Sequence, residues 1–245
     1  PFIFTGLKPI ATRKILNTVI IPKAYYNSFI WDENHTLSVH YCMKDLLGTS
    51  LNPPTEALHQ ISRIPTGRDL ASRDIHNYCR MAAGSCTLAT MLKYTRSKLQ
   101  KRVQSHIVNI KGRKFSDNPL TSEDFRKSIT HRKLREDRQQ RWKTSLEIGN
   151  CGTGLLADLR TDHLEKHPFP LDIPRKETSI LTGVLTGHIN LQCHLYRIGL
   201  TFSPTCICLQ EDETVQHYLY KCSSYTHLRT AHPPDINDYG SILKY

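Results

Sequence analysis

No apolar run in the 245 residues approaches the roughly 18 positions that a membrane-spanning helix needs. Nor does any basic stretch lie beside a lipid-facing apolar stripe, so a membrane is not an expected partner. The N-terminus lacks the basic-then-apolar profile of a secretory leader. It opens Pro1-Phe2-Ile3 and reads as the interior of a longer or processed polypeptide. Internal repeats and low-complexity tracts are absent, and glycine is modest at 12 residues. Acid is in short supply: 22 Asp and Glu face 33 Lys and Arg, for a formal net charge of +11 and a pI near 9.3. A chain this basic has a polyanion as its default partner. Also missing is any spacing that assembles nucleophile, base and oxyanion donor. Cys151, Asp162 and His163 are merely scattered, so an enzyme in its own right is not expected.

What remains is rich in helix formers, and the expected fold class is mainly α, long enough for one large domain or two small ones. Between Phe2 and Trp31, Pro22 divides an apolar, β-branched and then aromatic segment into two short elements. A helix is predicted over Leu37 to Leu47, stopped by Gly48, and another opens at Pro53-Pro54-Thr55. Thr66-x-x-Asp69 resembles a capping box with Asp in place of Glu. It is followed by Leu70, Ala71, Ile75, Tyr78, Cys79 and Ala82 on one helical face, which Gly84 ends. Cys79 on that face reads as a small buried apolar side chain. Farther on, Ile180, Leu181, Val184 and Leu185 form an apolar stripe ended by Gly187. Asn190 is positioned to cap a second helix that Gly199 closes, which makes a helical hairpin.

The positive charge is concentrated in two stretches. Lys93 to Lys114 carries eight Lys or Arg and no acid, and Arg126 to Lys143 carries eight against Glu136 and Asp137. Asp117-Asn118-Pro119 loops between them, with Thr121 or Ser122 as a cap for the second helix. Such stretches either track a phosphate backbone, each contact adding salt dependence, or form a solvated helical face. Trp142 either stacks on a base or fills a core.

Cysteine supplies the most specific signal. Cys42, Cys79, Cys86, Cys151 and Cys193 stand singly in apparently helical segments, whereas Cys206, Cys208 and Cys222 gather around His217. This distribution suits reduced thiols and one metal site, in cytoplasm or nucleus, better than a disulfide framework. Cys206-x-Cys208-x8-His217-x4-Cys222 offers four soft or borderline ligands to a tetrahedral structural Zn. Glu213 to His217 is expected to be helical, with Val215 and Leu219 packing inward. The intervening acidic loop, with Glu211, Asp212 and Glu213, is expected to close without strain. The competing reading buries Cys208 and Cys222 as small apolar side chains and has His217 cap a helix. Cys193, His188, His194 and His227 are substitute ligands.

The run from Leu185-Thr186-Gly187-His188 through Arg197-Ile198-Gly199 and Ser203-Pro204 to Cys206-x-Cys208, Glu213-Thr214-x-x-His217 and Cys222 resembles the C-terminal tail of non-LTR retrotransposon reverse transcriptases. Upstream, Ile21-Pro22 with Tyr26-Asn27-Ser28-x-x-Trp31 is similar to the segment after the polymerase palm in that family. Lys44 to Gly48 and Pro54 to Leu58 suit its thumb-like helices, and Arg141-Trp142 its connector. Two positions depart from the pattern: Asn27 stands where the family commonly has Gly, and Leu209 replaces a frequent Gly after the second cysteine. No Asp-Asp polymerase motif, ribonuclease H quartet or endonuclease constellation is present.

The resemblance implies a thumb-like segment over 1–65, a basic helical connector over 66–165, and a helical hairpin with a small CCHC-type zinc knuckle over 166–245. It implies a non-catalytic segment that grips template RNA or target DNA, while a full-length relative would be an RNA-directed DNA polymerase. The catalytic part of the same polyprotein is then a further partner. Cys206, Cys208, His217 and Cys222 are the expected metal ligands. Lys98, Lys101, Arg102, Arg132, Lys133, Arg135, Lys221 and Arg229 are the expected nucleic-acid contacts. The alternative is a zinc-stabilised helical scaffold, or a degenerate element remnant, with no nucleic-acid role.

Overall fold

A computed structural model describes residues 6–25, 37–49, 52–83, 127–147, 154–157 and 166–245, with isolated positions 85, 87, 101, 103 and 105. Among these residues the fold is mainly helical and no strand is present; extended pairing is limited to isolated bridges. The chain forms two compact units, one of residues 1–18, 39–64 and 141–245, the other of 19–38 and 65–140. The predicted loop at 117–119, its cap at Thr121 or Ser122, Gly84, and the motif from Tyr26 to Trp31 lie outside the described residues.

Near the N-terminus, α1 (Pro9–Ile15) runs into a π-helical turn (Leu16–Ile20) and then α2 (Ile21–Ala24). The predicted break at Pro22 is thus a widened turn: Pro22 has no N–H to continue an α ladder and instead occupies the first turn of a new helix.

In the first unit, α3 (Leu37–Leu47) ends where expected, with Gly48 left-handed at φ +67°. It buries Val39, Met43, Leu46 and Leu47 at helical spacing. Next, α4 (Thr55–Ser62) buries Ala57, Leu58 and Ile61.

The second unit contains α5 (Gly67–Ala83), whose capping box forms in both directions. The Asp69 amide donates to Thr66 Oγ1 at 3.0 Å and the Thr66 amide donates to Asp69 Oδ2 at 3.0 Å. Asp is one methylene shorter than Glu and still reaches. On its core face Leu70, Ile75, Cys79 and Ala82 are buried. Burial pushes the Cys79 thiol up to about 12, so it packs as an apolar group.

The long basic helix α6 (Lys127–Glu147) contributes residues 127–140 to the second unit and 141–147 to the first. Part of its charge is paired: Arg132 lies 3.8 Å from Glu136, and Arg138 lies 3.6 Å from the buried Asp69. Trp142 is buried, which makes it a core residue and removes base stacking from its repertoire.

Two helices lead toward the cysteines. In α7 (Arg175–Thr186), Thr178, Thr182 and Thr186 are buried, each hydroxyl donating to the carbonyl four residues earlier at 2.8–3.1 Å. This bonding lets a polar stripe enter the core without orphaned groups. Leu181, Val184 and Leu185 are buried as expected, but Ile180 is exposed: it lies one residue outside the arc that faces inward. Gly154 allows the short 3-10 turn Leu155–Ala157 to lie against the end of α7, since a Cβ there would come within 2.2 Å of the Leu185 carbonyl oxygen. After Gly187 (φ +75°) the chain forms α8 (Gln192–Arg197). Asn190 does not cap it. The Gln192 amide instead donates to Glu213 Oε2 at 2.7 Å, so a carboxylate 21 residues away holds the helix N-terminus. Gly199 (φ +76°) ends the hairpin.

Candidate metal centre

From Gly199 the chain passes through Ser203-Pro204 into a tight turn that presents two cysteines. An isolated antiparallel bridge joins Thr205 to Asp212 and closes the loop. Inside it the Cys206 amide donates to the Glu211 carbonyl at 2.9 Å, and the Leu209 amide donates to the Cys206 carbonyl at 2.9 Å. The loop is not strain-free as expected: Leu209 is left-handed at φ +62°, a conformation that costs a branched L-residue about 1 kcal/mol. The turn is nonetheless tight, because hydrogen bonds on both sides hold it.

The third and fourth predicted ligands come from a helical turn opened by Val215 and Gln216. His217 and Cys222 are five residues apart, and in a regular α-helix they would point about 140° away from each other. The chain resolves this by widening into a π-helical turn (His217–Lys221), in which the Cys222 amide donates to the His217 carbonyl at 2.8 Å. That i-to-i+5 bond brings the two side chains to one side, while Val215 and Leu219 are buried as expected. Thr214 Oγ1 accepts from the His217 amide at 3.1 Å and starts the turn.

The four predicted ligand atoms converge. Cys206 Sγ and Cys222 Sγ are 3.5 Å apart, Cys208 Sγ and His217 Nε2 are 3.1 Å apart, and all four lie within 4.8 Å of one another. A tetrahedral centre with thiolate bonds of about 2.3 Å has ligand edges of roughly 3.8 Å, so the set needs only small adjustments to close on an ion. A sulfur separation of 3.5 Å is far from a disulfide bond, and all three thiols are free. Cys206, Cys222 and His217 are buried and Cys208 is partly open. Burial pushes the Cys206 thiol up to about 11, while the backbone N–H of Gln210 draws the Cys208 thiol down to about 6. Among the described residues this is the one group of three or more His, Cys, Asp or Glu that converges in this way. The cluster can hold a metal ion.

None of the substitute ligands belongs to the converging group. His188 and His194 rings pack at 4.9 Å, His188 Nδ1 meets the Thr186 carbonyl at 3.0 Å, and His194 Nδ1 accepts from Arg197 at 2.9 Å. The Cys193 amide donates to the Glu213 carbonyl at 3.4 Å, and His227 is exposed.

The predicted cations fall into three sets. Lys101, Arg132 and Arg135 are exposed. Lys133 lies on α6, and Lys98 and Arg102 lie outside the described residues. Beside the cluster, Lys221 Nζ is 3.6 Å from Glu211 Oε2. Arg229, on α9 (Thr226–Ala231), folds back to donate to the Tyr218 carbonyl at 3.5 Å and to the Cys222 carbonyl. Arg229 thereby satisfies carbonyls that the helical turn leaves open.

Sequence reasoning missed the supporting shell. His217 Nδ1 meets Glu211 Oε2 at 3.2 Å, and Glu213 caps α8. Neither acid's side-chain role was legible: Glu211 read as loop charge, and Glu213 as the start of an expected helix and part of the Glu213-Thr214-x-x-His217 motif. Exposed apolar side chains were also missed: Leu200, Phe202, Ile207 and Leu209 are each at least 70% exposed.

No protein-family model matches the chain, and no solved structure matches it. Among curated proteins, a stretch of 61 residues, 25% of this chain, is 36% identical to the retrovirus-related Pol polyprotein from type-1 retrotransposable element R1 of Bradysia coprophila. The match spans 6% of that polyprotein. The chain therefore carries a retrotransposon-related region.

Proposed function

We propose that the chain is a non-catalytic nucleic-acid-binding segment of a non-LTR retrotransposon reverse transcriptase, with its C-terminal part ordered by zinc. The observation that carries this reading is the convergence of Cys206, Cys208, His217 and Cys222 within 4.8 Å, in the order and spacing of that family's knuckle. Three cysteines and a histidine converging on one point fit the ligand preference of Zn, which Cys206, Cys208, His217 and Cys222 would hold and which would supply folding energy. The similarity to a Pol polyprotein supports the retroelement part of this reading.

Grip on template RNA or target DNA is assigned to the basic stretch, through Lys98, Lys101, Arg102, Arg132, Lys133 and Arg135. Lys221 and Arg229 are assigned contacts at the knuckle, in addition to their bonds within it. The partner that performs chemistry is the catalytic part of the same polyprotein, and the setting is cytoplasm or nucleus.

Two measurements test the proposal. Purified chain should contain one equivalent of zinc, and Cys206→Ser and His217→Ala should each lose it and lower the melting midpoint; unchanged metal content and melting would refute the site. A labelled single-stranded RNA should bind with roughly 20-fold lower affinity at 200 than at 50 mM salt if about three phosphates are neutralised. Absent binding, or binding indifferent to salt, favours the second reading, a zinc-stabilised scaffold or element remnant. That reading has its own support: Leu200, Phe202, Ile207 and Leu209 are exposed, and Lys221 and Arg229 are already bonded to Glu211 and to the Cys222 carbonyl.

A further inference from the structure

We infer that Glu211 is the positioning residue that sets the imidazole of His217 for metal ligation, an inference that rests on the four-residue metal site proposed above. A histidine ligand binds through one ring nitrogen, and the hydrogen bond at the other decides which nitrogen carries the proton. Here the two ends of the ring are distinguished. Nε2 faces the ligand cluster, 3.1 Å from Cys208 Sγ, and Nδ1 faces Glu211 Oε2 at 3.2 Å. A carboxylate only accepts, so it holds the proton on Nδ1 and leaves the Nε2 lone pair directed at the ion.

Glu211 does this from a fixed place. Its own carbonyl accepts from the Cys206 amide at 2.9 Å, and the neighbouring Asp212 bridges to Thr205. The residue thus connects the first ligand through its main chain to the third through its side chain. Lys221 Nζ, 3.6 Å from the same oxygen, offsets the negative charge that a carboxylate adds beside three thiolates. Of the three consecutive acids 211 to 213, each has a different job. Glu213 caps α8 with its side chain, Asp212 closes the loop with its main chain, and Glu211 meets the ligand.

The test uses the full chain, zinc competition against a chelator, Co²⁺ as a spectroscopic probe of tetrahedral geometry, and ¹⁵N NMR of the His217 ring. Glu211→Ala should weaken zinc binding by about tenfold, the low end for loss of such a carboxylate because Glu211 is half exposed. Glu211→Gln should weaken it less, since the amide oxygen still accepts from Nδ1. Asp212→Asn, which removes the same unit of charge one residue away, should leave affinity within about twofold. In the Zn-loaded chain, the His217 Nδ1–H should exchange slowly with solvent in the wild type and faster in Glu211→Ala. Equal affinities for Glu211→Ala and Asp212→Asn, or an unchanged Nδ1–H exchange rate, would overturn the role of Glu211 while leaving the metal site standing. A wild type that binds neither zinc nor Co²⁺ in tetrahedral form would overturn both.

Discussion

Leu209 shows how one side chain can oppose its own turn. It holds φ +62° with 82% of its surface exposed, so it contributes strain and little packing. Leu209→Gly should remove about 1 kcal/mol of strain and return somewhat less through added chain entropy in the unfolded state. The expected outcome is metal binding tightened by about twofold, read by chelator competition; weaker binding would mean that the exposed Leu209 side chain packs on something in solution. The Gly frequent at this position in the polymerase tail that the sequence resembles marks it, but whether the chain strains or opens the turn depends on the bonds from Leu209 to Cys206 and from Cys206 to Glu211. His194 is a second case. Burial first, then the charges on His188 and Arg197, pull its imidazole down to about 4. A histidine depressed in the folded state takes its proton first when unfolded, so stability is present above about pH 6.5 and is lost as pH falls toward 4. His194→Gln should therefore melt with a smaller drop between pH 7 and pH 5 than the wild type, a difference in which metal release cancels.

At the scale of elements, helix boundaries were the most legible feature wherever a glycine or a cap marked them. Gly48, Gly187 and Gly199 all adopt positive φ at the ends predicted for them, and the Thr66–Asp69 box closes at 3.0 Å in both directions. Gly48 does more than end α3: a Cβ there would come within 2.9 Å of Arg175 Cγ and 3.1 Å of the Arg175 carbonyl oxygen. Gly48→Ala should cost about 1–3 kcal/mol, from left-handed strain and from this contact together. The denaturation midpoint should fall with an unchanged slope; an unchanged midpoint would show that the helix end relaxes freely. Less legible was the helix widening after Gln216. No residue type signals a π turn, and the bond from Cys222 to His217 accompanies the convergence of both side chains on one point. Likewise Asn190 had the chemistry of a cap, yet the carboxylate of Glu213 reached the amide of Gln192 first.

For the whole molecule, the Cys/His cluster that can hold a metal ion, the mainly helical class and the excess of basic charge could be read from residue type and spacing alone. The reasons are local: thiols and imidazoles have few alternatives as a cluster, helical periodicity repeats within a few turns, and charge simply adds. Residue spacing could not show that Ile180 lies outside the buried arc or that Trp142 is core. It also could not show that Arg229 bonds back to the Tyr218 and Cys222 carbonyls, or that Glu211 was the acid of three to meet His217. Each of these depends on which distant segment arrives beside a given side chain. Composition and spacing therefore determined what chemistry the chain carries. Tertiary structure decided which groups are committed to holding the centre together, because a hydrogen bond between residues far apart in sequence is set by the packing that brings them within 3 Å.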